Sequence, residues 1–149
     1  MSVISKGKQH HQHKSRGQSL VEFAILLPLL LVLILTGIDL GRLFYTRIVL
    51  TNAAREGAYY YANNPSGYTL TELETQAELA ARAEAANSGV TVNDVDFTPT
   101  GSGIFSKIEV TVSATVQDLM ILNFLNNAFS ITGGNENITL SSSVEMMVQ

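Results

Sequence analysis

The chain has 149 residues, a formal net charge of −4 and no cysteine. That length holds one modest domain beside any targeting or membrane segment. The missing cysteine rules out disulfides, zinc–thiolate sites and thiol nucleophiles.

The leader MSVISKGKQHHQHKSRG carries all three histidines, His10, His11 and His13, so beyond it neither a Ser-His-Asp nor a Cys-His constellation can be assembled. Loss of the leader would also remove Lys6, Lys8, Lys14 and Arg16, taking the formal charge from −4 to −8. An acidic, weakly aromatic remainder lacks the basic clusters that phosphate binding needs, so no nucleic-acid partner is expected. A two-carboxylate hydrolase would need a cleft of which so small a domain gives no sign. The expectation is a non-enzyme with no cofactor and no metal. HHQH is read as a solvated polar leader rather than a metal site.

GQSLVEFAILLPLLLVLIL, from Gly17 to Leu35, is a membrane-grade apolar run with a carboxylate, Glu22, near its start. Phe23 to Ile38 is free of charge, and a helix over it spans about 24 Å against a hydrocarbon layer of roughly 30 Å. Flanking residues supply the remaining length, with Arg42 able to snorkel to the interface. The competing reading is the buried core helix of a soluble protein. Four basic residues precede the run and Arg42 and Arg47 follow it, which favours a cytoplasmic N-terminus. No A-x-A cleavage pattern follows, so the helix is expected to be kept, and a cut would fall before it, at Gly17.

Pro28 removes one helical hydrogen bond and predicts a kink or loosened turn. It reads either as a soft point for leaving the bilayer or as a tolerated membrane-helix proline. Gly37 and Gly41 form a G-x-x-x-G spacing that would permit close helix contact. Asp39 and Arg42, three apart, read as a local interfacial pair.

Helical periodicity continues through GRLFYTRIVLTNAAREGAYYYA, with Leu43, Leu50, Ala54 and Tyr61 on one face. NNPSG at Asn63–Gly67 ends it. Tyr59, Tyr60 and Tyr61 read as a packing seam, with an adhesive surface as the alternative. A second helix is signalled by TLTELETQAELAARAEAANSG, with a capping-box spacing at Thr71 and Glu74 and a stop at Asn87–Gly89. Glu72, Glu74, Glu78 and Glu84 form a solvated face.

The period then changes to two. VTVNDVDF and SKIEVTVSATVQ alternate, with Ile108, Val110, Val112 and Val116 on one face; a last strand alternates through Ile138, Leu140, Val144, Met146 and Val148. LMILNFLNNAFS between them is a short helix or crossing loop. NDVD at Asn93–Asp96 lacks EF-hand spacing, and the NIT sequon at Asn137 is a pattern only. Helices first and strands last predict an α+β fold, its antiparallel sheet packed on the outer half of the long helix.

A short basic leader, Gly17, a carboxylate five residues on at Glu22 and then an apolar helix resemble type IV pilin-like precursors. RGQSLVEFAILLPLLLVLILTGIDLGRLF and LTNAAREGAYYYA are more specifically similar to TadE-like proteins of the tight-adherence (Tad) pilus system, with a fainter likeness in ITLSSSVEMMVQ. The resemblance implies a pilin-like architecture and cleavage after Gly17 by a prepilin peptidase, leaving Gln18 as the N-terminus. It also implies other pilin-like subunits and the Tad assembly machinery as partners, beside membrane lipid. Glu22-Phe23 stands where major pilins of these systems usually carry Glu-Tyr, and the chain is much longer than they are. Both point to a minor component.

A cut after Gly17 would create an α-amine at Gln18, four residues before Glu22 on one helical face. Amine and carboxylate in low dielectric could neutralise each other within one chain or between neighbouring helices, where pairing would fix axial register. Glu22 and Phe23 are thus the candidate docking residues. A carboxylate merely resting at headgroup level is the competing reading.

The expected organisation is a leader over 1–17, a transmembrane helix over 18–41, its outward extension over 42–62 and an exported α+β domain over 63–149. The expected function is that of a membrane-anchored pseudopilin that joins a Tad-type pilus or secretion apparatus by helix–helix docking. The alternative is a membrane-tethered extracytoplasmic adhesion module that never enters a fibre. Either would sit in the cytoplasmic membrane with its C-terminal domain outside.

Overall fold

The computed structural model describes residues 15–64, 68–100, 106–130 and 137–148. The leader's histidines and lysines lie outside the described residues, as does the Pro65–Gly67 part of the predicted NNPSG stop. The element order is α1 (Ser15–Asn63), α2 (Leu70–Asn87), β1 (Asp94–Thr100), β2 (Lys107–Val116), α3 (Met120–Phe129) and β3 (Ile138–Met147).

At 49 residues α1 dominates the molecule, reaching about 74 Å at 1.5 Å per residue. It continues as helix through Pro28. Its two halves have opposite surroundings. From Gly17 to Leu31 every residue is exposed, whereas Val49, Leu50, Ala53, Ala54, Ala58, Tyr61 and Ala62 are buried.

The buried half of α1 packs on α2 through small side chains. Leu73, Ala77, Ala81 and Ala85 are the buried residues of α2, recurring every four positions as one helical stripe. Opposite them Gly57 has no room to spare: a Cβ there would stand 3.2 Å from the Ala81 Cβ and 3.3 Å from the Ala77 carbonyl oxygen.

The start of α2 differs from the predicted capping box by two residues. Thr69, not Thr71, is the N-cap; its hydroxyl accepts from the Glu72 N–H, and the Glu72 carboxylate accepts from the Thr69 N–H at 2.9 Å. The sequence TLTELE offers two overlapping T-x-x-E spacings, Thr69/Glu72 and Thr71/Glu74, and the earlier one adds helical bonds such as Leu73 N–H to the Thr69 carbonyl at 2.9 Å. The stop falls where expected. Gly89, at φ +72°, and Val90 return their N–H groups to the carbonyls of Ala86 and Ala85, closing a Schellman motif.

The sheet is antiparallel in the order β1-β2-β3, with Val110 of the central strand paired to Phe97 on one side and Val144 on the other. Ile108, Val110, Val112, Ala114 and Val116 of β2 are buried against the helices, while the intervening residues are polar and partly exposed. One face is core and the other is wet. In β3 the inner positions are Ile138, Leu140, Ser142, Val144 and Met146. Ser142 interrupts the apolar set because its hydroxyl hydrogen-bonds that of Thr51 on α1 at 2.8 Å. Tyr61 stacks on Phe97 with ring centroids 5.9 Å apart, so it is a packing residue; Tyr59 is exposed. The fold is α+β, as expected, with the sheet on the second half of the long helix.

Candidate assembly interface and membrane boundary

Among the described residues, one helix is long and apolar enough to cross a membrane, and none of its apolar window is buried inside the chain. The core helix of a soluble protein would be covered by its own fold. Leu20, Phe23, Ile25, Leu29, Leu30 and Leu33 are instead all exposed. A single-pass anchor fits this surface.

Within it, Gln18 and Glu22 lie one turn apart on the same face, and the Gln18 amide donates to the Glu22 carboxylate at 3.2 Å. Among the described side chains, which begin at residue 17, no basic one forms an ion pair with Glu22. Phe23 beside it is 62% exposed. Gly17, Gly37 and Gly41 each face open space, with nothing within 4 Å of a Cβ built there. The chain's own fold therefore leaves the predicted processing, docking and close-contact positions uncovered.

The boundary between the two halves of α1 is built around a residue whose role the sequence did not disclose. Asp39 is 3% exposed. Its carboxylate accepts the Met120 N–H at 3.0 Å and the Ile121 N–H at 2.8 Å, so it caps α3 from another helix. The predicted partner, Arg42, stands at 3.9 Å, the outer limit of an ion pair, and is itself 45% exposed; its guanidinium also donates to the Asp118 carbonyl at 3.3 Å. Leu119, the residue at the α3 N-cap, offers no side-chain acceptor. The first N–H groups of α3 need an outside partner, and a carboxylate at a helix N-terminus also meets the favourable end of the dipole. An apolar helix without a capping side chain, together with an acid at the end of an apolar run, was the available signal.

Three further contacts fix α2 and the segment that follows it. The Tyr45 hydroxyl donates to the Ser88 carbonyl at 2.9 Å, tying α1 to the end of α2. Arg82 pairs with Glu78 at 2.7 Å and donates to the Val92 carbonyl at 2.7 Å. Glu72 and Glu78 are thus occupied in capping and pairing. Asp94 and Asp96 of NDVD lie at exposed alternate positions of β1.

Comparison with curated proteins and with solved structures found no match. The family model of TadE-like proteins matches residues 17–58. That segment holds Gly17, Glu22, the whole exposed apolar stretch, Asp39 and the first buried turns of α1. Over this segment the chain is similar to TadE-like proteins.

Proposed function

We propose that this protein is a membrane-anchored, pilin-like minor subunit that takes part in assembling a Tad-type pilus or secretion apparatus through docking of its N-terminal helix. The observation that carries the reading is the uncovered Glu22 on an otherwise uncovered apolar helix, inside the stretch matched by the TadE-like family. A carboxylate at membrane depth costs roughly 2.5–3.5 kcal/mol by insertion scales. The Gln18 side chain, a neutral amide, does not offset its charge.

Removal of the leader after Gly17 by a prepilin peptidase would supply the missing cation as the Gln18 α-amine, on the face where the Gln18 side chain already meets Glu22. Pairing between neighbouring helices would select one axial register, because any slip leaves both charges unmatched in lipid. Phe23, Gly37 and Gly41 then contribute apolar and close-packing surface to the same contact. The domain built on the second half of α1 stands outside the cytoplasmic membrane, with the N-terminus inside.

The test is Glu22→Gln in the native host, read as surface pili recovered by shearing and as the level of this subunit in membranes. Normal membrane levels with a loss of pili support docking through Glu22. Undiminished pili overturn it.

A further inference from the structure

We propose that α3 is a second membrane-contacting element: an uncharged amphipathic helix lying in the headgroup–acyl boundary on the side of the bilayer where the apolar span of α1 ends. The proposal rests on α1 being a membrane anchor and adds a site that such an anchor does not by itself require.

The ten residues MILNFLNNAF contain no charge. On a helical wheel Asn123, Asn126 and Asn127 share one arc, and the seven apolar residues fill the remainder. A helix so divided normally buries its apolar arc, yet α3 has no buried residue. Leu122 and Phe129, seven apart and on one side, are exposed, Phe129 to 65%.

The cap fixes what lies next to this surface. Asp39 holds the N–H groups of Met120 and Ile121, so α3 starts at the level of α1 where the charge-free run from Phe23 to Ile38 ends. The exposed apolar surface of α1 does not stop there. Leu40, Phe44 and Ile48, four apart on one face, remain 51%, 60% and 61% exposed. α3 itself packs on the Asp39 side of α1, so its apolar surface lies beside the end of the charge-free run, at the membrane boundary. With no basic residue on α3, its attachment would come from apolar burial and not from attraction to anionic lipid.

The chain has no tryptophan, so a single introduced indole reports one position. Full-length Phe129→Trp, Leu122→Trp, Asn126→Trp and, as a marker of the anchor, Leu30→Trp would each be reconstituted into phosphatidylcholine vesicles with and without bromine on the acyl chains. An interfacial helix buries its apolar side ~5–10 Å into the headgroup–acyl boundary, so shallow bromines should quench Phe129→Trp and Leu122→Trp about twofold or more. Asn126→Trp should be quenched much less, and the same pattern should hold without anionic lipid. Quenching of Leu30→Trp alone overturns the role of α3 while the anchor stands. Quenching of none overturns both. A blue-shifted Phe129→Trp emission that brominated lipid leaves unquenched places protein on this face and overturns the proposal.

Discussion

The Asp39 carboxylate and the Ile121 backbone N–H, 82 residues apart in sequence, meet at 2.8 Å. A second bond, from Met120, lands on the other oxygen of the same carboxylate at 3.0 Å. One side chain on the long helix thus provides the N-terminal cap of a helix whose own N-cap residue is a leucine. Hydrogen bonds to a charged group contribute about 1.5–3 kcal/mol each, more than neutral ones. Asp39→Ala is expected to free the start of α3 with a local loss of about 2 kcal/mol or more. Amide exchange of Met120–Phe129 should accelerate while exchange in β2 stays slow. Equal protection of α3 in wild type and variant would contradict the capping role.

Gly57 sits where α1, α2 and the sheet converge. A Cβ there would stand 3.2 Å from Ala81, 3.3 Å from the Ala77 carbonyl and 3.5 Å from Val110. Overpacking of a filled site costs typically about 1–3 kcal/mol. Gly57→Val should lower the thermal midpoint of the full chain in detergent, followed by circular dichroism. Gly41→Val, at a position with open space around it, should leave that midpoint nearly unchanged. It should instead lower pilus yield if this glycine serves helix contact.

Thr69 and Glu72 cap α2 reciprocally, and the two hydrogen bonds from Thr69 hold the Glu72 carboxyl below the usual glutamate range. A carboxylate whose folded pKa is depressed adds stability above its unfolded pKa and loses it as pH falls through the folded value. The start of α2 should therefore loosen on acidification below the ordinary glutamate range. In Thr69→Ala the Glu72 midpoint should move back up, and the loss of cap should cost about 1 kcal/mol. NMR titration of the Glu72 side chain measures both; an unmoved midpoint would contradict the assignment.

Thr51 and Ser142 exchange a hydrogen bond between α1 and the inner face of β3. Truncating one member leaves the other hydroxyl half-buried without its partner, at a cost of about 1–3 kcal/mol. The paired change Thr51→Val with Ser142→Ala should cost less than the sum of the two single changes. Additive denaturant midpoints would show that this bond contributes nothing to holding the sheet on the helix.

The elements that were legible in the sequence are those whose signal is local. The alternation of Ile108, Val110, Val112 and Val116 identified β2, and helical spacing identified the face of α1 on which Leu50, Ala54 and Tyr61 are buried and Leu43 is half-buried. Asn87–Gly89 marked the end of α2 because a left-handed glycine acts within one turn. The capping box was misplaced by two residues because TLTELE repeats the T-x-x-E spacing, and only the formed helix chooses between the frames. What sequence could not show are relations across the chain. Ser142 breaks the pattern of β3 until Thr51, 91 residues away, is seen beside it. Asp39 reads as a partner for nearby Arg42 until α3 is placed on its carboxylate. Gln18 and Glu22, four residues apart, were legible as one face because helical periodicity alone brings them together.

Mass analysis of the N-terminus, on protein taken separately from membranes and from sheared surface fibres, tests the assembly role most directly. A subunit that begins at Gln18 and occurs in the fibres, in small amount beside the main subunit, is the predicted result. An intact leader in a host with active prepilin peptidase would contradict it, since Glu22 would then never meet the α-amine on which its proposed docking depends.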